Sequence, residues 1–318
     1  MPKAIEKSEE IEILENTVKE LKSLSKDKGL DVTKELKEQT AKLEKLTHEA
    51  NKKMTAWDRV TIARNPKRPT ALDYIDIIFD DFFELHGDRG YRDDEAMVCG
   101  LANIGKQNYT IIAEQKGRNT KENIKRNFGM PNPESYRKAV RLMKQAEKFG
   151  RPIVTFIDTK GAYPGLGAEE RGQGEAIAKS MMEMANLKTP IICIVIGEGS
   201  SGGALAIGVG DEIIMLENAV YSVLSPEGFA SILWKDGKRV KEAAETMKMT
   251  AGDLKKFKVI DKIIDEPIGG AQNDIETVAE NIKKCIISNT KKLNKLSPDE
   301  LIQKRYEKFR NMGEYQKM

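Results

Sequence analysis

The stretch TPIICIVIGEGSSGGALAIGVG, residues Thr189 to Gly210, most constrains the fold of this chain. An apolar, mostly β-branched run from Pro190 to Ile196 predicts a buried strand. The glycines that follow predict a tight turn into a helix, because glycine permits positive φ and close backbone approach. The first amides of a helix lack internal acceptors, and they lie at the positive end of its dipole. Gly202 and Gly203 are therefore candidates to offer two N–H groups to an oxyanion.

A second unit of the same kind precedes this stretch. Pro152 to Asp158 predicts a buried strand, Thr159 to Gly167 a glycine turn and Ala168 to Leu187 a long helix. Repeated strand–turn–helix units predict an α/β domain with mostly parallel strands. Since ligands bind at the carboxyl ends of such strands, both glycine turns are expected to face one site.

The rest of the chain predicts a helical extension, a body and a tail. Apolar residues recur at helical spacing within 8–54, which predicts an amphipathic hairpin that packs on the chain's own core or contacts other subunits. We predict an extension over 1–64, an α/β domain over 65–296 and a helical tail over 297–318 that frays at the surface. Further predicted elements are a linker at 64–70, a capped helix at 70–82, strands at 97–102 and 109–113, a loop at 114–133, a helix at 133–149, strands at 211–216, 219–224 and 259–264, and helices at 238–257 and 272–293.

Composition excludes several classes of function. The 318 residues include 53 Lys and Arg against 50 Asp and Glu, so nucleic acid is not expected as the main partner. No stretch is apolar and long enough for a membrane span, and MPKAIEKSEE lacks the apolar core of a signal peptide, so we expect a cytoplasmic protein. The three cysteines Cys99, Cys193 and Cys285 are expected to be buried and reduced, and no metal site is expected.

The glycine turns could belong to a hydrolase site, a nucleotide-binding site, a non-catalytic scaffold or a site built from backbone amides. Gly199 to Gly203 matches the G-x-S-x-G elbow of hydrolases, with Ser201 as the nucleophile. That chemistry needs a histidine base, for which His86 is a better candidate than His48 in the hairpin. Dinucleotide and P-loop signatures are absent from the sequence. A non-catalytic scaffold would have no use for two clusters of outward-facing amides, so a site built from backbone amides is favoured.

A basic stretch follows the predicted strand at 109–113. Its members are Lys116, Arg118, Lys121, Lys125 and Arg126. A charge run of this kind is typical of a solvated face. It would equally suit phosphates or an acidic carrier domain, since such a patch attracts anionic partners.

Five long motifs in order resemble the α subunits of bacterial acetyl-CoA carboxylase carboxyltransferases. They are ELHGDRGYRDDEAMVCG, QKGRNTKENIKRNFGMPNPESYRKA, FIDTKGAYPGLGAEERGQGEAIA, GEGSSGGALAIGVGD and YSVLSPEGFASILWK. The resemblance implies a crotonase-like fold of repeated ββα units. It also implies an α2β2 assembly whose β subunit carries a zinc ribbon and most contacts to acetyl-CoA.

The reaction implied by the resemblance is carboxyl transfer from carboxybiotin to acetyl-CoA, which yields malonyl-CoA for fatty acid synthesis. Biotin arrives on a carrier protein after loading by biotin carboxylase, and no cofactor is bound covalently to this chain. By resemblance the amides of Gly202 and Gly203 stabilise the biotin oxyanion. The residues implied to line the pocket are Gly161, Ala162, Tyr163, Gly199 and Ser201.

Two neighbouring side chains qualify this interpretation. Lys160 stands where the family usually has proline, so it adds an N–H donor, a charge and backbone freedom at the mouth of the site. Glu198 is expected to be structural, because a carboxylate beside the amides would oppose an oxyanion.

Overall fold

One twisted sheet of eight strands organises the protein, seen in a computed structural model that describes residues 9–28 and 31–313. The strands are β1 Asp81–Glu84, β2 Met97–Ile104, β3 Gln107–Glu114, β4 Ile153–Thr159, β5 Ile191–Ser200, β6 Glu212–Leu216, β7 Val220–Ser222 and β8 Lys262–Ile264. Their order is β1-β2-β3-β4-β5-β6-β8. The first three pair antiparallel, and β3 through β8 run parallel, as the repeated units predicted.

Helices connect the strands and pack against the sheet. They are α1 Glu9–Lys28, α2 Thr33–Lys52, α3 Ala56–Ala63, α4 Ala71–Ile78, α5 Thr120–Lys125, α6 Pro133–Lys148, α7 Leu166–Glu170, α8 Gln173–Asn186, α9 Ser201–Leu205, α10 Pro226–Trp234, α11 Val240–Met247, α12 Ala251–Lys256, α13 Ile275–Leu293 and α14 Pro298–Arg310. The main core lies between the central strands and helices such as α6, α8 and α13.

Strand β5 is the centre of the molecule. All ten of its residues are buried, and its first half pairs with β4 and β6. Its last residues, Glu198 to Ser200, pair instead with β7. The strand therefore runs through Gly197 and Gly199, which the sequence assigned to the turn. The turn is confined to the step from Ser200 into α9.

Several predicted boundaries are wrong for identifiable reasons. The helix expected to reach Phe82 ends at Ile78, because Asp81 to Glu84 pair with β2 as a strand. The expected helix 168–187 breaks at Gly172, whose φ is +79°. Lys248, with a φ of +51°, separates α11 from α12 within the expected helix 238–257. Helices α3, α5 and α10 were not anticipated, and the capping box of Thr70 and Asp73 is confirmed.

The two ends of the chain differ in how closely they join the body. In α1 the buried residues Ile11, Leu14 and Val18 belong to neither of the two core clusters in the described chain. Helix α14 is instead anchored through Arg305, so it is not the fraying surface helix expected over residues 298–318, of which 314–318 lie outside the described residues. The division at residues 64 and 296 stays a prediction.

Candidate active site

The two glycine turns meet at the carboxyl ends of β4 and β5. Gly203 lies so close to the other turn that an added Cβ would sit 2.6 Å from Ala162 N and 2.7 Å from Gly161 C. Real Cβ atoms do not approach backbone this closely, so only glycine fits at Gly203. The two turns are therefore in direct contact, as a shared site requires, and binding of a ligand there stays a prediction.

The amides of Gly202 and Gly203 occupy the second and third positions of α9. Amides at these positions have no intrahelical acceptor. The side chain of Ser200, the residue before the helix, makes no capping hydrogen bond within the described chain. Because α9 has only five residues, the amides themselves matter more than any helix dipole. Both N–H groups therefore have no acceptor within the helix itself, and donation to a ligand stays a prediction.

Ser201 is exposed and has a φ of +57°, which is unusual for a residue with a side chain. Strain of this kind is frequent at functional sites. The positive φ lies at the step from β5 into α9, directly before Gly202 and Gly203.

The hydrolase hypothesis fails on the position of its base. His86 follows β1, which is separated from β5 by three strands, so Ser201 lies about 19 Å away across the sheet at ordinary strand spacing. The His86 Nδ1 is instead 2.8 Å from Asp93 Oδ2. The alternative, His48, lies in α2, and its side chain is outside the described residues. His86 therefore cannot activate Ser201 within this chain.

The turn after β4 is held by its own hydrogen bonds. Thr159 Oγ1 donates to Gly161 O at 2.9 Å, and Gly161 has a φ of +131° that favours glycine. Tyr163 N donates to Pro131 O at 3.0 Å, while the Tyr163 ring packs over Gly165. Ala162 is half-buried between these fixed points. Gly161 and Ala162 thus contact the Gly203 turn, the Tyr163 ring packs on Gly165, and contact of all three residues with substrate stays a prediction.

Two further residues lie around the pocket in different settings. Gly199 is buried within β5, where an added Cβ would come 2.8 Å from Tyr221 Cδ2. Its close approach to Tyr221 is explained by packing, and its predicted contact with substrate stays a prediction. Lys160 is exposed, so its side chain extends from the mouth of the site into solvent.

A buried charge cluster beneath the turns was missed by sequence reasoning. Lys116 Nζ lies 2.5 Å from Asp158 Oδ1 and 3.6 Å from Glu198 Oε2, and Arg64 Nε lies 2.7 Å from Glu198 Oε1. Asp158 Oδ1 also accepts from Glu198 N at 2.9 Å. An added Cβ on Gly197 would overlap this carboxylate, which explains the glycine there. The cluster ties together the ends of β3, β4 and β5.

The electrostatics of this cluster favour a charged lysine. Burial acts to lower the pKa of Lys116, but Asp158 and Glu198 outweigh it, so the pKa is raised. Nearby Glu114 has a pKa raised well above its usual value, chiefly because it is buried. Glu198 is structural, as expected, since its carboxylate is taken up by Arg64 and Lys116. Only contacts across long sequence separations reveal this cluster, so no local pattern could have found it.

The basic stretch is not a uniform solvated face. Lys116 is taken up in the buried cluster, and Arg118 pairs with Asp73. Lys125 Nζ lies 2.6 Å from Glu95 Oε2, and Arg126 donates to the Glu95 carbonyl at 2.7 Å. Most of these basic side chains are therefore paired within the protein. That the basic stretch attracts an anionic partner stays a prediction.

The cysteines are buried as expected. Burial raises the pKa of Cys99 and of Cys193 to about 12, which makes both thiols unreactive. Cys285 is also buried and free. Across residues 9–28 and 31–313, no group of three His, Cys, Asp or Glu side chains could hold a metal ion. Within the same residues, none of the helices is long and apolar enough to cross a bilayer.

Comparison with known proteins agrees with the fold and with the motifs. Residues 4–313 match the family model described as acetyl co-enzyme A carboxylase carboxyltransferase-like. The chain is 55% identical over 302 residues to the acetyl-coenzyme A carboxylase carboxyl transferase subunit alpha of Halalkalibacterium halodurans, covering 95% of this chain and 93% of that one. It is 57% identical over 301 residues to the same subunit of Bacillus cereus strain G9842, with 95% and 93% covered.

Solved structures with the same fold are more distant in sequence. A transcarboxylase 12S structure superimposes with a TM-score of 0.55 at 20% identity. The aligned region covers 70% of this chain and 44% of the transcarboxylase chain. A Pseudomonas malonate decarboxylase hetero-tetramer in complex with coenzyme A gives a TM-score of 0.54 at 14% identity, with 67% and 85% covered. At these identities the likeness shows the crotonase-like fold alone. Together with the family match, it establishes that the chain belongs to the acetyl-coenzyme A carboxylase carboxyltransferase family, as an α subunit of crotonase-like fold.

Proposed function

We propose that this chain supplies the carboxyl-donor half of a carboxyltransferase site. The reaction is transfer of the carboxyl group of carboxybiotin, presented by a biotin carboxyl carrier protein, to acetyl-CoA, which gives malonyl-CoA. The observation that carries this proposal is the contact between Gly203 and the Gly161–Ala162 peptide. It brings the amides of Gly202 and Gly203 next to the opposing turn, and we infer that the two turns together accept the carbonyl group of the donor.

The chemistry requires a donor aimed at the urea oxygen of biotin. Negative charge grows on that oxygen when the carboxyl group leaves, and two N–H groups of fixed direction stabilise it more in the transition state than in the ground state. One such donor is worth about 3–4 kcal/mol in comparable sites. A protein base is not needed, because the urea nitrogen freed of its carboxyl group can accept the proton from the acetyl methyl.

The buried charge cluster fixes the pocket. Asp158 and Glu198 lie three residues before Gly161 and Ser201, and Lys116 joins the two carboxylates. Since burial makes such a cluster tolerant of only one arrangement, it holds the two turns at a constant distance.

We propose that the second half of the site comes from a β subunit in an α2β2 assembly. The relatives are named as α subunits, and the malonate decarboxylase of the same fold is described as a hetero-tetramer. The β subunit would bring the acetyl-CoA contacts, the enolate-stabilising amides and a zinc ribbon. Biotin carboxylase would reload the carrier, and the assembly would work in the cytoplasm. Nucleic acid and membrane are not proposed as partners.

Carboxyl exchange between malonyl-CoA and biocytin tests the proposal. The chain is assayed alone and after mixing with a β subunit from a related bacterium, with complex formation verified by light scattering. Exchange in the mixture and none with the chain alone is the expected result, because each subunit holds half of the site. A folded, associated complex without exchange would contradict the proposed reaction.

A further inference from the structure

Three consecutive residues close to the pocket adopt the left-handed backbone conformation. Asn127, Phe128 and Gly129 have φ values of 50°, 55° and 74°. Glycine is at ease there and asparagine is tolerated, but an aromatic residue with positive φ is an outlier. Such strain persists only where surrounding contacts impose it, and it is concentrated at functional sites.

Hydrogen bonds fasten this segment along the turn that follows β4. Thr159 Oγ1 donates to Gly129 O at 2.6 Å and also to Gly161 O at 2.9 Å. Two residues further on, Pro131 O accepts from Tyr163 N at 3.0 Å. The segment 127–131 therefore runs beside residues 159–163 and forms a wall next to the proposed amide site.

Gln173 extends this attachment from the side of α8. Its Nε2 donates at 2.9 Å both to Pro131 O and to Tyr163 O, and the residue is buried. One side chain thus holds the wall and the turn together. The position of the wall is consequently set by the same elements that set the pocket.

Phe128 is the exposed apolar side chain of this wall. Gly129 beside it is buried, and an added Cβ there would meet Lys116 Cγ at 2.6 Å, so the backbone sits directly on the charge cluster. The Phe128 side chain is 48% exposed and belongs to neither core cluster of the described residues. The fold thus keeps a strained backbone and exposes an aromatic ring, although neither feature contributes to the core.

We propose that Phe128 is a substrate-binding residue that packs against the apolar ring system of the carboxyl donor. The inference rests on the proposed function. The urea of biotin is fused to a sulfur-containing ring with an aliphatic arm, so an apolar face begins two bonds from the carbonyl carbon, beyond the urea nitrogens. A wall adjoining Gly161 meets this face, whereas the acyl-CoA would enter from the partner subunit.

Steady-state kinetics of the α–β complex distinguish an effect on biocytin binding from an effect on malonyl-CoA binding. Phe128→Ala is expected to raise the KM for biocytin by about tenfold, the size of a lost aromatic contact, and to leave the KM for malonyl-CoA unchanged. Phe149→Ala is the matched control. Phe149 is 62% exposed and lies before β4, at the opposite edge of the sheet, so both KM values should stay as in the wild type. An unchanged KM for biocytin, or an altered KM for malonyl-CoA alone, would overturn the assignment.

A second variant distinguishes binding from a structural role. Phe128→Gly suits the left-handed backbone, so its thermal midpoint should equal or exceed that of the wild type while its KM for biocytin rises. A clear fall in the midpoint would show that Phe128 supports the fold, and would refute the inference. Loss of exchange in the wild-type complex itself would instead refute the proposed function, and this inference with it.

Discussion

At the scale of single residues, Gly203 is the position that tolerates least change. Gly203→Val would force a side chain between the two turns, where even a Cβ comes 2.6 Å from Ala162 N. We expect turnover in carboxyl exchange to fall by roughly 10²–10³, the effect of losing one oxyanion donor. Circular dichroism should show a folded chain, because the displaced turns are at the edge of the sheet.

Gly174→Ala is the control for that variant. Gly174 lies in α8, is exposed and has no atom within 4 Å of an added Cβ, so turnover should be unaffected. Equal turnover of Gly203→Val and Gly174→Ala would contradict the role of the amide pocket.

Glu114 predicts how stability depends on pH. Burial raises its pKa in the folded protein, so between the unfolded value near 4.3 and the folded value only the unfolded state releases its proton. The free energy of unfolding then falls with rising pH, by about 1.4 kcal/mol per unit from this group. Denaturant titrations should show a smaller fall for Glu114→Gln, which cannot ionise. An identical pH slope in both proteins would contradict a buried, neutral Glu114.

Sequence could reveal the turns but not what lies beneath them. Glycines next to apolar runs are a local signal, so the candidates Gly161, Gly202 and Gly203 followed from it. Lys116 and Asp158 are 42 positions apart, and only the pairing of β3 with β4 brings them together. A lysine in a polar loop carries no sign that it will pair with buried carboxylates.

At the scale of elements, the charged helix α14 contains a buried arginine that anchors it to the rest of the protein. Arg305 is 2% exposed, and its guanidinium contacts both oxygens of Asp211 at 2.9 and 2.8 Å. It also donates to the carbonyls of Met184, Leu187 and Thr189, which close the link from α8 to β5. The helix is therefore part of the core support of β5.

Arg305→Met should be strongly destabilising. Removing one partner of a buried pair leaves Asp211 uncompensated, which costs about 3–5 kcal/mol of unfolding free energy. Lys304→Met, at an exposed position of the same helix, should cost within about 0.5 kcal/mol. Denaturant unfolding of both variants measures the difference, and equal losses would show that Arg305 is dispensable.

The wrongly predicted boundaries of helices and strands have a common physical cause. The apolar spacing from Leu72 to Phe82 predicts a helix, but β2 offers Asp81 to Glu84 a free edge, and pairing there outweighs local preference. The same applies to Gly199, which is a strand residue because Thr159 of β4 and Tyr221 of β7 pair with it on either side, while Gly197 lies at the shift in register with β4. Long buried strands were predictable, whereas short edge strands depend on partners far along the chain.

At the scale of the whole molecule, the carboxyl edge of the sheet brings together the groups to which we assign the reaction. The amides follow β5, the opposing turn follows β4, and Lys116 follows β3. In the described side chains no histidine lies near them, which fits chemistry driven by hydrogen-bond donors. The sheet order could not be read from the sequence, yet the expectation of one shared site needed only that these strands be parallel.

The N-terminal helices predict a separable role in assembly. Helices α1 and α2 are linked by an ion pair from Lys42 to Glu10 at 3.0 Å, and the buried residues of α1 lie outside both core clusters. Helix α3 belongs to the body, since Val60 is fully buried and Ala56 N donates to Glu245. Removal of residues 1–53 should therefore leave the thermal midpoint of the body within a few degrees of the full chain, because the second core cluster stays intact.

Light scattering of the chain mixed with its β subunit should show a smaller assembly for the truncated form, since a narrow apolar stripe is suited to subunit contact. An assembly of unchanged stoichiometry, or a body that unfolds without these helices, would instead assign them to the support of this chain's own fold.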